Sequence, residues 1–376
     1  MKPLRQFLRR EPVLAVSLVL ALISAFIVPP DRQYADYLDL RTLAILFSLM
    51  AVMAGFRRQG VFDRMGQALL ARTGGTLPVV LVLVGLCFFG SMVITNDVSL
   101  MTFVPFTFVV LGGLSGAEKR RLALPVVCMQ TIAANLGSML TPVGNPQNLY
   151  LYGRSDLSLG GFVRLMLPYT LVSLLLLVLW ALLLCRGQRE RLQPPPMPQQ
   201  TAPGQPWRIA LLSVLFLLCL LSVVHVLPWL VSLMAVLAAL LLTDRAALRG
   251  VDYALLLTFA AFFVFIGNLG RMPAFSAWLQ SILEGREVPV AVLASQVTSN
   301  VPAALLLSGF TDNTEALIIG TNLGGLGTLI ASMASLISYR QAARELPQDK
   351  GAYFALFTLS NVIFLAILMT VWFLIV

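Results

Sequence analysis

A short polar stretch interrupts an otherwise apolar run over residues 77–112. It contains Thr95, Asn96 and Asp97. An ionised carboxylate at membrane depth costs at least about 2.5–3.5 kcal/mol on insertion scales, so Asp97 is expected to be protonated or paired with a cation. This pattern predicts a proton or sodium coupling site at Asp97. The structural alternative is an aspartate that caps the following helix by accepting backbone N–H bonds, and the two roles can coexist.

A second polar element follows at residues 135–148, where two prolines and two glycines fall close together. Because proline removes a backbone donor and collides with the preceding turn, this stretch cannot remain a regular helix. Its freed carbonyls can bind Na⁺, and the N–H groups at the start of the next helix can hold an anion. The candidate binding residues in this element are Asn135, Gly137, Thr141, Gly144 and Asn145.

The same arrangement recurs in the second half of the chain. Ser299 and Asn300 form a second polar tip, and Asn322, Gly324 and Thr328 belong to a second glycine-rich break that lacks proline. Glycines alone also serve close helix packing. Because each break follows a matched tip that contains asparagine, the pattern favours a binding site to which both halves contribute.

The composition indicates the environment of these elements. Of the 376 residues, 58% are hydrophobic and 11% are charged, and the mean hydropathy is +0.87. Soluble domains carry about 25% charged residues, so a soluble fold is excluded. The net charge of +9 does not indicate a nucleic-acid partner, because the basic residues lie between apolar runs and not on one face with aromatic residues. We predict an all-α polytopic membrane protein in a lipid bilayer.

Apolar runs bounded by charges, proline and glycine predict the membrane segments. Ordinary spans are expected near residues 13–28, 40–56, 162–185, 208–227, 228–243, 252–269 and 353–376.

Four further segments have polar interruptions. Residues 77–112 and 288–308 are expected to form re-entrant hairpins, and residues 122–152 and 314–338 to form broken transmembrane helices. A proline-rich cytoplasmic linker at 186–207 divides the chain into a first repeat, 1–185, and a second repeat, 208–376.

The basic residues predict the topology. If both hairpins are re-entrant, 20 of the 26 Lys and Arg residues fall on one side of the membrane. Lys and Arg are retained on the cytoplasmic side, and a hairpin that crossed fully would move every later loop and remove this asymmetry. The prediction is nine crossings of the inner membrane, with a cytoplasmic amino terminus and an external carboxyl terminus.

The two halves align as an internal repeat. Residues 39–55 fall on residues 252–268 without a gap, and the tips and breaks align further along the chain. The charge distribution makes the first aligned helix run in opposite directions in the two halves, so the repeats are expected to be inverted. Inverted repeats with broken helices are typical of secondary transporters, which bind substrate where the repeats meet.

These paired motifs resemble the ion transporter superfamily, whose branches include divalent anion:sodium symporters, citrate transporters, arsenite permeases and a set of sodium/proton antiporters. The resemblance covers about residues 38–340. It implies that Asn96 and Asn300 clamp substrate and sodium, with Na⁺ near Asn96, Asn135, Asn300 and Asn322. The cavity lining implied by the same resemblance comprises Ser91, Thr95, Asn135, Thr141, Asn145, Ser299, Asn322 and Thr328. An elevator-type homodimer is also implied.

The sequence departs from the carboxylate symporters at the two tips. Their tips read Ser-Asn-Thr twice, whereas this chain has Thr95-Asn96-Asp97 and Ser299-Asn300-Val301. Because of this aspartate, proton coupling and the arsenite permease and antiporter branches stand as alternatives to transport driven by Na⁺ alone.

The expected function is secondary active transport of a small anionic solute, with carboxylates favoured, driven by Na⁺ or H⁺. The alternative is efflux of arsenite or Na⁺ in exchange for protons. A channel would not need a matched pair of occluding tips. A membrane-embedded enzyme would need catalytic groups at depth that a chain with one histidine and one deep aspartate lacks. We therefore expect neither an enzyme nor a cofactor beyond the coupling ion.

Overall fold

The computed structural model describes residues 11–114, 116–186 and 204–375. Within these ranges the regular structure is entirely helical, so the predicted all-α fold class is confirmed. Most of the predicted linker at 186–207, and the first four basic residues of the chain, lie outside the described residues.

The described part of the first half contains eight α-helices. They are α1 (Pro12–Ile27), α2 (Leu40–Arg58), α3 (Val61–Leu70), α4 (Thr76–Ile94), α5 (Asn96–Val110), α6 (Gly116–Ser138), α7 (Pro146–Arg154) and α8 (Leu159–Cys185).

The described part of the second half contains ten. They are α9 (Pro206–Val223), α10 (Trp229–Thr243), α11 (Arg245–Leu248), α12 (Tyr253–Gly270), α13 (Pro273–Leu283), α14 (Glu287–Thr298), α15 (Asn300–Leu307), α16 (Thr314–Leu323), α17 (Met333–Glu345) and α18 (Lys350–Ile375).

Several of these segments are suited to a bilayer. Six helical segments in the described residues are long and apolar enough to cross a membrane: Arg32–Arg58, Thr76–Ile94, Leu159–Cys185, Pro206–Val223, Tyr253–Gly270 and Pro347–Ile375. Large apolar side chains are exposed along Leu159–Cys185, Pro206–Val223 and Pro347–Ile375, as expected for lipid-facing helices, whereas those of Arg32–Arg58 are mostly buried in the protein. The chain is therefore a multi-pass membrane protein. The number of crossings and the orientation remain predictions.

The order of elements is the same in the two halves. In the first half, α2 and α3 precede a helical hairpin (α4 and α5), a helix pair separated by a break (α6 and α7) and a long helix (α8). In the second half the same order runs from α12 to α18. Each series begins with an aspartate that caps its helix: Asp39 accepts from Thr42 N and Asp252 from Leu255 N, both at 2.9 Å.

The helices α2 and α12 run antiparallel. Tyr37, just before α2, accepts a hydrogen bond of 3.2 Å from Arg271, which follows α12. At the other end, Arg58 of α2 pairs at 3.0 Å with Asp244, which precedes α12. An inverted repeat produces such an antiparallel pair.

The helices pack in two groups. One group contains α1 packed on α12 and α2 packed on α9, α10 and α11. The other contains both hairpins, both broken helices, α8 and α18. The short amphipathic helices α3 and α13 connect the groups, because each packs on the helix that enters the adjacent hairpin. The groups also touch directly where α12 packs on α15 and α2 packs on α7. The predicted binding residues all belong to the second group.

Candidate functional site

The two hairpin tips have the same backbone conformation. Thr95 has φ 66° and ψ 153°, and Ser299 has φ 77° and ψ 154°. A positive φ is uncommon for residues with a Cβ atom and for the β-branched threonine it is strained, so it persists only when the surroundings impose it. The surroundings here are the two breaks. Asn96 N donates to Gly144 O at 3.2 Å, and Asn300 N donates to Ala331 O at 2.9 Å.

Each break also lies very close to the first arm of its hairpin. A Cβ atom on Gly137 would overlap the carbonyl oxygen of Phe88, and one on Gly324 would lie 2.6 Å from Ser295 Oγ. The side chain of Thr141 donates to Met92 O at 2.5 Å, and the matched Thr328 donates to Gln296 O at 3.1 Å. The matched glycines Gly137 and Gly324 and the matched threonines Thr141 and Thr328 therefore fix the hairpins onto the broken helices.

Asn135 is the centre of one cluster of side chains. Its Oδ1 accepts from Asn96 Nδ2 at 3.1 Å and from Ser332 Oγ at 3.0 Å. Its Nδ2 lies 3.4 Å from Ser335 Oγ. The first tip, the first broken helix and the second broken helix thus meet at one buried amide.

Asn322 occupies the matched position in the other half. Its Nδ2 donates to Asn148 Oδ1 at 2.6 Å, and its Oδ1 accepts from Asn145 Nδ2 at 3.4 Å. Asn145 also donates to Ser138 Oγ at 2.7 Å. The two asparagines therefore make corresponding contacts across the two halves, and every side chain in these contacts is uncharged.

Four helices begin around these clusters. The helices α5, α7, α15 and α17 start at or immediately after Asn96, Asn145, Asn300 and Ser332. Each N-terminus carries a partial positive charge, which favours a bound anion, although the N–H groups of Asn96, Asp97 and Asn300 already have acceptors within the protein.

Asp97 follows the first tip and does not act as the cap of α5. The cap position is Thr95, whose side chain makes no capping bond, and Asp97 N instead donates to Asn96 Oδ1 at 2.8 Å. The buried oxygen Asp97 Oδ1 has no hydrogen-bond partner among the described residues. The arrangement leaves a carboxylate oxygen free for a proton or a cation.

A cavity of about 590 Å³ lies between the two packing groups. Thr95, Asp97 and Asn145 line it, together with α2 from Leu46 to Arg58. At 1.5 Å per residue, this part of α2 extends about 18 Å, so the cavity is long enough to run from the tip to the surface. Its lining also includes three exposed arginines, Arg57, Arg58 and Arg249.

The structure brings most predicted residues together. Asn96, Asn135, Asn145 and Asn322 lie in the two clusters, while Thr95, Ser299, Gly137, Gly144, Gly324, Thr141 and Thr328 hold the tips and breaks in contact. Asn300 differs from its counterpart: it lies against Gly325, and its Oδ1 accepts from Ser299 Oγ at 3.5 Å.

Sequence reasoning missed five residues of the site. The repeat alignment places Asn145 on Ser332 and Asn148 on Ser335. It could therefore have identified Asn148, Ser332 and Ser335. Ser138 contributes a hydroxyl next to a predicted glycine. Gln296 is aligned with Met92, and no feature of the sequence identified it.

An all-α membrane protein whose two halves each bring a hairpin tip and a helix break to a common polar centre belongs to the class of secondary transporters. Residues 6–315 match the citrate transporter family, CitMHS. The chain belongs to this family and is a secondary transporter of anions.

Individual relatives of the chain are membrane proteins, and two of those described here are named as transporters. The chain is 30% identical to the inner membrane protein YbiR of Escherichia coli over 85% of this chain and 84% of YbiR. It is also 30% identical to the uncharacterized transporter MJ0456 of Methanocaldococcus jannaschii, over 86% and 87% of the two chains. The silicon efflux transporter LSI3 of rice is 29% identical over 44% of this chain and 32% of its own length. The family and these names point to a transporter and not to an enzyme.

Proposed function

We propose that this chain is a secondary active transporter of a small carboxylate anion, coupled to Na⁺ or H⁺. The observation that carries the proposal is the meeting of four helix N-termini around the clusters of Asn135 and Asn322. Amide, hydroxyl and backbone N–H groups would bind the carboxylate groups, and Na⁺ would share the same centre near Asn96, Asn135, Asn300 and Asn322.

In this proposal the binding site opens alternately to the two sides of the membrane. It does so because the group that carries both hairpins moves against the group that contains α2, α9, α10 and α12. The large cavity lies at the boundary between these groups and reaches the first tip, which supports such a movement. Arg57 and Arg249 at the exposed part of its lining would attract an anion by their charge. The cavity would then be the pathway to the cytoplasm, consistent with the predicted cytoplasmic position of these arginines.

Asp97 is proposed to bind the coupling ion. Its buried oxygen lacks a partner, it is adjacent to the tip, and its carboxylate lies beside the cavity. A proton or Na⁺ on Asp97 would cancel the charge of the buried carboxylate, so the centre would carry one negative charge fewer when the anion enters.

Uptake into proteoliposomes tests the function. With an inward Na⁺ or H⁺ gradient, we expect radiolabelled citrate or succinate to accumulate above the external concentration, and accumulation to stop when an ionophore dissipates the gradient. Liposomes without protein provide the control. Equilibration without accumulation would indicate a channel, and no movement of any dicarboxylate or tricarboxylate would contradict the proposal.

A second prediction concerns the centre of the site. Asn322→Ala removes two inter-half contacts and leaves the amides of Asn145 and Asn148 short of partners. The variant would also lose its hydrogen bond to the bound anion, and a hydrogen bond to a charged group contributes about 1.5–3 kcal/mol, so we expect the KM for the solute to rise about tenfold or more. Asn361→Ala is the control, because Asn361 is a buried asparagine whose Nδ2 bonds within its own helix. An unchanged KM for Asn322→Ala would place the solute elsewhere.

Efflux in exchange for protons is the second candidate. The free carboxylate oxygen of Asp97 supports it, since protonation of that group is enough to drive an exchanger. Everted vesicles separate the two functions: arsenite or Na⁺ loading that follows an imposed proton gradient, without carboxylate transport, would favour efflux.

Two further features belong to the proposal. The protein would lie in the inner membrane with a cytoplasmic amino terminus, which cysteine labelling from each side of the membrane can test. It would also form a homodimer, as expected for an elevator-type transporter, and mass determination in detergent can test this.

A further inference from the structure

The side chain of Gln296 occupies the second break in a single defined orientation. Its Nε2 donates to Gly324 O at 3.0 Å and to Leu326 O at 2.9 Å, and Val292 O of its own helix is a further acceptor at 3.2 Å. Its Oε1 accepts from Thr328 N at 3.0 Å. Carbonyl oxygens only accept and a backbone N–H only donates, so the reversed amide would lose all of these hydrogen bonds. The two carbonyls of the unwound stretch therefore converge on one amide nitrogen.

The first half lacks this arrangement. The alignment that places Thr95 on Ser299 places Met92 on Gln296, and methionine has no hydrogen-bond donor. The matched carbonyls belong to Gly137 and Met139, and neither receives a side-chain amide among the described residues. The amide of Asn148 reaches the first break from α7, but its bonds of 3.3–3.4 Å go to the carbonyls of Ser138 and Thr141.

This difference bears on ion binding because carbonyls of unwound segments are the groups that coordinate Na⁺ in transporters with broken helices. At the second break, the –NH₂ group of Gln296 already donates to both of these carbonyls and shares its two N–H groups with Val292 O. A cation could bind there only by displacing that group and leaving the amide without its partners. At the first break, the unpartnered oxygen of Asp97 lies next to the tip and adds a negative charge.

We propose that Gln296 takes the place of a coupling cation at the second break, so that the transporter binds a single coupling ion, at the first tip. The inference rests on the proposed coupled transport. It assigns Gln296 as a positioning residue that holds the second break in its loaded shape without an ion. It also makes the two halves unequal in chemistry although their backbones correspond.

Two measurements test this inference. In the wild type, uptake should depend on the coupling ion with a Hill coefficient near 1, and one coupling ion should move per solute. The second measurement is thermal unfolding of purified protein in NaCl against choline chloride, which does not require transport. It compares Asp97→Asn with Asp97→Asn/Gln296→Glu.

The carboxylate of the double variant cannot donate to Gly324 O and Leu326 O and adds a negative charge beside them. We expect NaCl to raise the Tm of Asp97→Asn/Gln296→Glu by several degrees in a saturable manner, and to leave Asp97→Asn unchanged relative to choline chloride. Asp97→Asn/Gln280→Glu is the matched control, because Gln280 is exposed on α13 and the change adds the same charge outside the site.

The inference would be overturned by a wild-type Hill coefficient near 2, by NaCl stabilisation of Asp97→Asn itself, or by equal stabilisation of both double variants. Absence of stabilisation in Asp97→Asn/Gln296→Glu would also overturn it, because the position would then not be one that a cation can occupy. Failure of the proposed function is distinguishable, since it appears as lack of transport under every gradient.

Discussion

Replacement of Asp97 by asparagine is expected to abolish accumulation of solute against its gradient and to leave exchange of solute across the membrane intact. Asparagine has the same shape but cannot carry a proton or neutralise a cation, so the variant would bind solute without being driven. Asp97→Glu keeps the carboxylate and should retain a reduced, gradient-dependent uptake. The measurement is concentrative uptake and solute counterflow in the same proteoliposomes.

The matched control for Asp97 is Asp63→Asn. Asp63 lies in the first turn of the short helix α3, outside the site, so this variant should transport as the wild type does. If Asp97→Asn accumulates solute as the wild type does, Asp97 has no part in the coupling mechanism. Loss of both accumulation and exchange would indicate that Asp97 binds solute in addition to coupling transport to the ion gradient.

The variant Gly137→Ala is expected to lose stability and transport together. The added methyl group would overlap the carbonyl oxygen of Phe88 and lie 2.7 Å from Ser91 Oγ, and a backbone carbonyl cannot rotate away as a side chain can. Forcing a methyl group into a packed contact costs about 1–3 kcal/mol, and here it must separate α6 from α4. Thermal unfolding in detergent should show a clearly lower Tm, and uptake should fall at least tenfold.

Gly351→Ala serves as the control for this substitution. Gly351 lies in α18, and a Cβ atom there meets no other atom within 4 Å. Because alanine favours helix more than glycine, this variant should be as stable as the wild type or slightly more so. A stable, active Gly137→Ala would show that the hairpin and the broken helix are less tightly packed than their contact implies.

The elements of the fold could be predicted because polar residues are rare in this chain. Where Thr95 or Ser299 interrupts an apolar run, the structure places a tip, and where proline or glycine accompanies asparagine, it places a break. The ends of the broken helices were less predictable. The helix that begins at Met333 continues to Glu345, beyond the predicted boundary at residue 338, because its last turns are polar and carry no hydrophobic signal.

The site was predictable as a set of residues but not as a set of contacts. The amides of Asn96 and Asn135 could be proposed to meet because both lie at matched interruptions. The separate position of Asn300 against Gly325 depends on the packing of a break that lacks proline, and spacing does not encode it. Gln296 could not be identified because one glutamine on a helix is ordinarily a solvated residue, and its bonds exist only once the second break has folded around it.

The attachment of each tip to its break through main-chain atoms has a consequence for how such proteins diversify. The bonds from Asn96 N to Gly144 O and from Asn300 N to Ala331 O do not depend on which side chains the tips carry. The ion requirement can therefore change through exchange of a few side chains while each tip stays attached to its break. A mutant library confined to positions 97, 296 and 301 is the natural starting point for changing the ion that drives this protein.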